Sequence, residues 1–271
     1  MATTTPLTGD TYEVYAIRYA HHPRKASENF LGGDPHDGPM PIDFFVWAVV
    51  GAERTFVVDT GFDQAMARKR QRELFRTPAD GLKLIGIDPA TVRDVIVTHM
   101  HYDHAGCLDQ FPQARYHLQD REMAFCTGRS MCHATTRFPF EGEHVASMVH
   151  RIFEGRVAFH DGDDELAPGV TVHHVGGHSL GLQVVRVRTK RGWVVLASDA
   201  THFYANMEQG RPYPVVVDVA EMLEGFQTIQ KLAESPAHVI PGHDPLVLAR
   251  YPAPNAGLEG IVARLDVMPK T

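Results

Sequence analysis

Six consecutive residues, His99-Met100-His101-Tyr102-Asp103-His104, carry four side chains able to give a lone pair to a metal ion. Imidazole nitrogen and carboxylate oxygen of this kind suit zinc and similar divalent ions. The donors follow residues 94–98, a β-branched run that reads as a strand ending directly at His99. Two histidines two residues apart at a strand end can turn to one side, and the turn after them brings Asp103 and His104 round to a neighbouring point. The spacing therefore predicts a metal centre where a strand gives way to a loop.

The elements that must position this motif alternate short β-rich runs with amphipathic stretches, without a repeat or a low-complexity segment, which reads as α/β. Residues 12–19, 44–50 and 55–58 read as early strands, and 115–117 as a short strand before a helix-prone stretch starting near Asp120. Between the first two strands lies a Pro/Gly-rich loop, about 21–43, longer than structural connections usually are and expected to act as a lid. In the second half, 157–159, 170–175, 182–189 and 193–197 read as strands, with Lys190-Arg191-Gly192 as a hairpin turn. Residues 219–233 read as a helix, because Val219, Met222, Leu223, Phe226, Ile229 and Leu232 recur at three and four residues. A last strand, 238–240, ends at Pro241-Gly242-His243, so a second histidine follows a strand end.

Composition narrows the function classes. The chain has 271 residues, of which 44% are apolar, enough to bury a large core in one domain spanning 1–271. A formal net charge of -7 supplies no basic stripe for a phosphate backbone, which argues against a nucleic-acid partner. The longest apolar run, 44–50, is far short of the roughly 20 residues of a membrane span, and residues 1–10 show no secretory pattern. Three cysteines, Cys107, Cys126 and Cys132, do not make a disulfide framework, so the expected setting is the reducing cytoplasm. A solvated helix face is the expectation for residues 68–72, and a packed small hydrophobe for Cys107.

With its strand-borne histidines in order, the chain resembles the metallo-β-lactamase superfamily, whose fold is a four-layer αββα sandwich with a metal site at its edge. Val57-Val58-Asp59-Thr60-Gly61 looks like the family's early acidic turn and Gly176-Gly177-His178-Ser179 like its third metal histidine. Ala197-Ser198-Asp199-Ala200 looks like the strand delivering a bridging aspartate, and Pro241-Gly242-His243-Asp244 like the closing histidine. The resemblance implies two divalent ions, expected to be zinc: His99, His101 and His178 on one, Asp103, His104 and His243 on the other, Asp199 bridging. Such a set leaves room for a bridging water whose pKa falls to about 7, giving a hydroxide nucleophile. Asp59 is read as a carboxylate that orients a ligand histidine.

The first motif is most similar to that of the N-acyl homoserine lactone lactonases, where His-Xaa-His-Tyr-Asp-His-Ala-Gly stands almost as in residues 99–106. Having both His104 and Asp199 argues against antibiotic cleavage, and His101 argues against a di-iron redox role. The resemblance implies a small-molecule substrate, an N-acyl homoserine lactone or related lactone, with Asp103 carrying a proton to the departing ring oxygen. A glyoxalase II-type thioesterase, another ester or phosphotriester hydrolase, and a nonhydrolytic metal-binding regulator are the alternatives. In the lactonases a tyrosine soon after the bridging aspartate contacts the substrate carbonyl. Here His202 has the spacing and Tyr204 the chemistry, so these two are the candidates for that contact. Met40, Phe44 and Phe45 are candidates for an acyl pocket.

Overall fold

Alternating side chains decide the layers. In the strand Ile42–Val50, Phe44, Val46 and Ala48 point to one face and Phe45, Trp47 and Val49 to the other, and all six are buried. A strand apolar on both faces must be covered on both, which requires a layer above and a layer below. The computed structural model describes residues 11–270, and the reading of 1–10 lies outside them. Strands β1 (Glu13–His22), β2 (Ile42–Val50), β3 (Thr55–Val58), β4 (Glu73–Leu74), β5 (Asp94–Ile96), β6 (Arg115–Gln119) and β7 (Val157–His160) belong to one sheet. A second sheet holds β8 (Asp164–Ala167), β9 (Val170–His174), β10 (Gln183–Thr189), β11 (Gly192–Ser198) and β12 (Val239–Pro241), and β13 (Val262–Arg264) returns to the first beside β1.

Phe45, Trp47 and Val58 of the first sheet pack against Val172, Val185, Val194 and Leu196 of the second, so one core lies between the sheets. The helices α1 (Gln64–Arg70), α2 (Pro78–Lys83), α3 (Asp120–Cys126), α4 (Ala134–Arg137) and α5 (Gly142–Phe153) lie in the chain segments around the first sheet. Leu82 of α2, Met123 of α3 and Met148 of α5 pack onto its outer face with Val46, Val57 and Val95. After α6 (Tyr204–Gln209) comes α7 (Val219–Leu232), which covers the outer face of the second sheet, and α8 (Leu246–Arg250) follows β12. The result is the αββα order expected from the sequence. In α7 the apolar stripe is narrower than its spacing predicts. Met222, Phe226 and Ile229 are buried, whereas Val219 and Leu223 stay 41% and 37% exposed.

Five strand ends converge. β3 pairs parallel to β5 and β11 parallel to β12, so their C-terminal ends lie on one edge of the sandwich. There β3 passes into Asp59, β5 leads to His99, β11 into Asp199 and β12 into Gly242-His243, while β9 leads to Gly176-Gly177-His178. The 21–43 loop is tied to α6 and to the segment after it: Asn206 Nδ2 of α6 donates to Asn29 O at 3.0 Å, and Leu31 N–H donates to Pro212 O at 2.7 Å.

Candidate metal centre

Backbone strain aims two of the carboxylates. Asp59 and Ser198, which directly precedes Asp199, have φ of 64° and 45°, a region that costs a non-glycine residue about 1–3 kcal/mol. Close approach fixes a third segment. A Cβ on Gly242 would stand 2.7 Å from the Ser198 backbone and 2.9 Å from Asp199 Oδ1, so only glycine lets His243 come alongside Asp199.

The side chains form two neighbouring donor sets. His99, His101, His178 and Asp199 make one, Asp103, His104 and His243 the other, and within each set the donor atoms lie no more than 4.8 Å apart. Asp199 faces both. Its Oδ2 is 3.1 Å from His178 Nε2 and 3.8 Å from His99 Nε2, while Oδ1 is 3.3 Å from His104 Nε2 and 3.0 Å from His243 Nε2. All seven residues predicted as ligands are thus brought to one place, nearly all of them almost completely buried.

The outer nitrogens set the inner ones free. His104 Nδ1 meets Asp59 Oδ2 at 2.7 Å, His178 Nδ1 meets Val215 O at 2.6 Å, and His243 Nδ1 meets Asp43 O at 2.9 Å. These oxygens accept only, so each Nδ1 holds the proton and each Nε2 presents a lone pair inward. His99 Nε2, His104 Nε2 and Asp199 Oδ1 are buried without a hydrogen-bond partner. A buried polar atom left unpaired costs about 1–3 kcal/mol, and three orphaned acceptors facing one point fit divalent cations. Burial pulls the His99 and His101 imidazoles well below their ordinary pKa, which keeps them neutral and able to ligate. Asp59 also accepts from Thr98 N at 2.8 Å and Thr98 Oγ1 at 2.9 Å, so it acts on His104 from outside the cluster, as expected.

Glu122 was not foreseen. Its buried carboxylate accepts from Met100 N at 2.8 Å, Ser179 Oγ at 2.5 Å and Gly181 N at 3.0 Å, clamping the His99–His104 segment to the His178 segment.

The two candidates for the carbonyl contact separate. His202 lines the cleft, with Nε2 3.0 Å from Asp199 Oδ2, and one of its ring nitrogens forms a third donor grouping, within 4.8 Å, with Asp199 and His243. Tyr204 corrects the sequence reading. As the first residue of α6 its ring turns into the core between the sheets, with the Arg250 guanidinium 3.9 Å above it, and it does not line the cleft. Tyr213 stands there instead: its ring stacks on His202 at 3.7 Å and 8°, and it lines the cleft with Asp103, Asp199 and His243. Of the pocket candidates, Phe44 borders the metal cleft, Phe45 is spent between the sheets, and Met40 packs against the outer core. Cys107 is buried in none of the donor sets among the described residues.

The family model described as the metallo-beta-lactamase superfamily matches residues 44–250. The chain belongs to that superfamily. It is 28% identical over 176 residues to the N-acyl homoserine lactonase AiiB of Agrobacterium fabrum, covering 60% of each chain. It is 29% identical over 175 residues to the N-acyl homoserine lactonase AttM of Azorhizobium caulinodans, covering 60% of this chain and 62% of that one. The matches thus span under two thirds of these relatives. Among solved structures, a quorum-quenching N-acyl homoserine lactone lactonase superposes with a TM-score of 0.71 at 20% identity, over 89% of this chain and 93% of that one. Another such hydrolase, carrying its product N-hexanoyl-L-homoserine at the catalytic metal center, superposes at 0.70 and 21% identity, over 89% and 94%. These structures share the fold. No helix among the described residues is long and apolar enough to cross a membrane.

Proposed function

We propose that the chain is a dinuclear metal hydrolase that opens a lactone ring, an N-acyl homoserine lactone or a related one. The observation that carries this reading is Asp199, whose two oxygens face two separate donor sets. In this reading His99, His101 and His178 hold one ion, Asp103, His104 and His243 the second, and Asp199 both. Two divalent ions, zinc for so nitrogen-rich a set, supply a water activated near neutral pH and Lewis acidity toward a carbonyl.

The protein's own part is positioning and proton handling. His202, held neutral because burial lowers its pKa to about 3, gives its Nε2–H to Asp199 and fixes that carboxylate. Tyr213 takes the carbonyl contact that the sequence reading gave to His202 or Tyr204. Burial pushes its hydroxyl up to about 12, so it stays protonated and can donate to an oxygen gaining negative charge. Asp103 would carry the proton given up by the attacking water to the ring oxygen that leaves as the ring C–O bond breaks. The lactonase relatives and the first motif support a lactone over a thioester.

The test is a substrate panel on one metal-loaded preparation: acyl homoserine lactones, aliphatic lactones, glutathione thioesters and phosphotriesters. Lactones with an apolar arm are expected to show the highest kcat/KM. Equal or higher efficiency on the thioester would move the assignment to the glyoxalase-like class.

A further inference from the structure

The cleft over the metal centre is chemically two-ended. On the His101 and His178 side it opens into an apolar recess of about 420 Å³, walled by Ala134, Phe138, Pro139, Pro214, Val215 and Val217. The cleft itself is also lined by two guanidiniums, Arg24 and Arg72, and neither borders the recess. Three other arginines, Arg70, Arg211 and Arg18, are bound to carboxylates: Arg70 to Glu141 at 2.6 Å, Arg211 to Asp34 at 3.0 Å and Arg18 to Asp43 at 3.3 Å. Arg24 and Arg72 make no ion pair among the described residues.

Both are nevertheless held still. Arg24 Nε donates to Asn29 Oδ1 at 2.7 Å and its Nη2 to Glu28 O at 2.5 Å, while its Cζ lies 5.3 Å from the centre of the Tyr213 ring. Arg72 Nε donates to Tyr102 Oη at 3.1 Å and its Nη1 to Arg70 O at 2.6 Å. In each, one terminal nitrogen is left without a partner among the described residues. A guanidinium fixed by two neutral acceptors, with its charge uncompensated and one donor edge free, is prepared for an anionic oxygen group. The two fields also meet: after burial, Arg72 and Arg24 are the groups that most depress nearby His22, to about 4.

We propose that the natural substrate carries, besides its ester and an apolar arm, a carboxylate-like anionic group that Arg24 and Arg72 hold in the part of the cleft outside the apolar recess. This deepens the ester-opening reading and rests on it for the word substrate, but the anion seat is measurable without turnover.

Two measurements on the zinc-loaded full chain separate the claims. The first compares kcat/KM for a lactone bearing a side carboxylate with that for its primary carboxamide. The carboxylate is expected to be favoured by at least about tenfold, which is about 1.4 kcal/mol. The ratio should shrink with added salt and fall toward one in R24Q/R72Q, with metal content and thermal stability checked. The second titrates the ring-opened dicarboxylate and its monoamide calorimetrically into parent and variant, and expects the same arginine-dependent preference in Kd. Should the double variant not fold, R24Q and R72Q singly should each show part of the loss. Ratios within about twofold of one in the parent, or unchanged in the variants, would overturn the anion seat. Arginine-dependent binding without any lactone opening would keep the seat and remove the lactonase reading.

Discussion

Tyr204 and Tyr213 lie nine positions apart and on different surfaces, and no periodicity in the sequence says which one faces the cleft. The candidate ligand histidines are legible because each of their motifs follows a β-branched strand, so burial and direction come with the strand end. Tyr213 sits in an irregular segment between α6 and α7, where contacts from distant segments, the stack on His202 and the Arg24 guanidinium over its ring, fix its direction. Arg24 and Arg72 are illegible for another reason: solvated arginines are common, and only their place in the lining of the metal cleft distinguishes these two. Tyr213→Phe should lower kcat by on the order of tenfold to a hundredfold, below what a lone oxyanion donor contributes because metal ions share the task. Tyr204→Phe removes a buried hydroxyl that has no partner, so kcat should stay within about twofold and unfolding free energy should hold or rise. Steady-state kinetics and urea unfolding on both variants check this, and a larger kcat loss in Tyr204→Phe would contradict the placement.

At the scale of elements, strands with β-branched runs were read within a few residues of their bounds, whereas short or polar ones were not. β4 has two residues, β8 reads Asp-Glu-Leu-Ala, and β13 pairs only with β1, so none carries a local pattern. Helix α5 escaped notice although Val145, Met148, Val149 and Ile152 share a face, because histidines and charges interrupt the stripe. The over-wide stripe assigned to α7 has the opposite cause, since spacing marks a face but not how far the second sheet reaches beneath it. Elements must also be locked to one another, and Glu122 does this across three donors. Glu122→Gln keeps the shape but turns one acceptor oxygen into an NH2 that faces backbone N–H groups. We expect a loss of about 1–3 kcal/mol in the unfolding free energy of the metal-free chain. Weaker metal retention should accompany it, because His101 and His178 are no longer clamped to each other. Urea unfolding with and without chelator measures both, and parent-like values would show that the clamp is dispensable.

On the scale of the whole molecule, two sheets deliver the candidate ligands from opposite sides of one seam. His99, His101, Asp103 and His104 come from the first sheet's side, and His178, Asp199 and His243 from the second's. That division explains why the site is legible as separate motifs while its completeness is not: the packing of Phe45, Trp47 and Val58 on Leu196 and Val194, together with the Glu122 clamp, sets the spacing between the halves. It also makes Asp199 the joint on which the dinuclear account depends. The most direct test is elemental analysis of purified parent, Asp199→Asn and His243→Ala chains after loading with zinc, manganese or cobalt and removal of free ion. The account predicts two ions per chain in the parent, about one retained in His243→Ala, and weakened binding of both ions together in Asp199→Asn. A parent chain that holds one ion however much metal is offered, or an Asp199→Asn chain that keeps two as tightly as the parent, would contradict it.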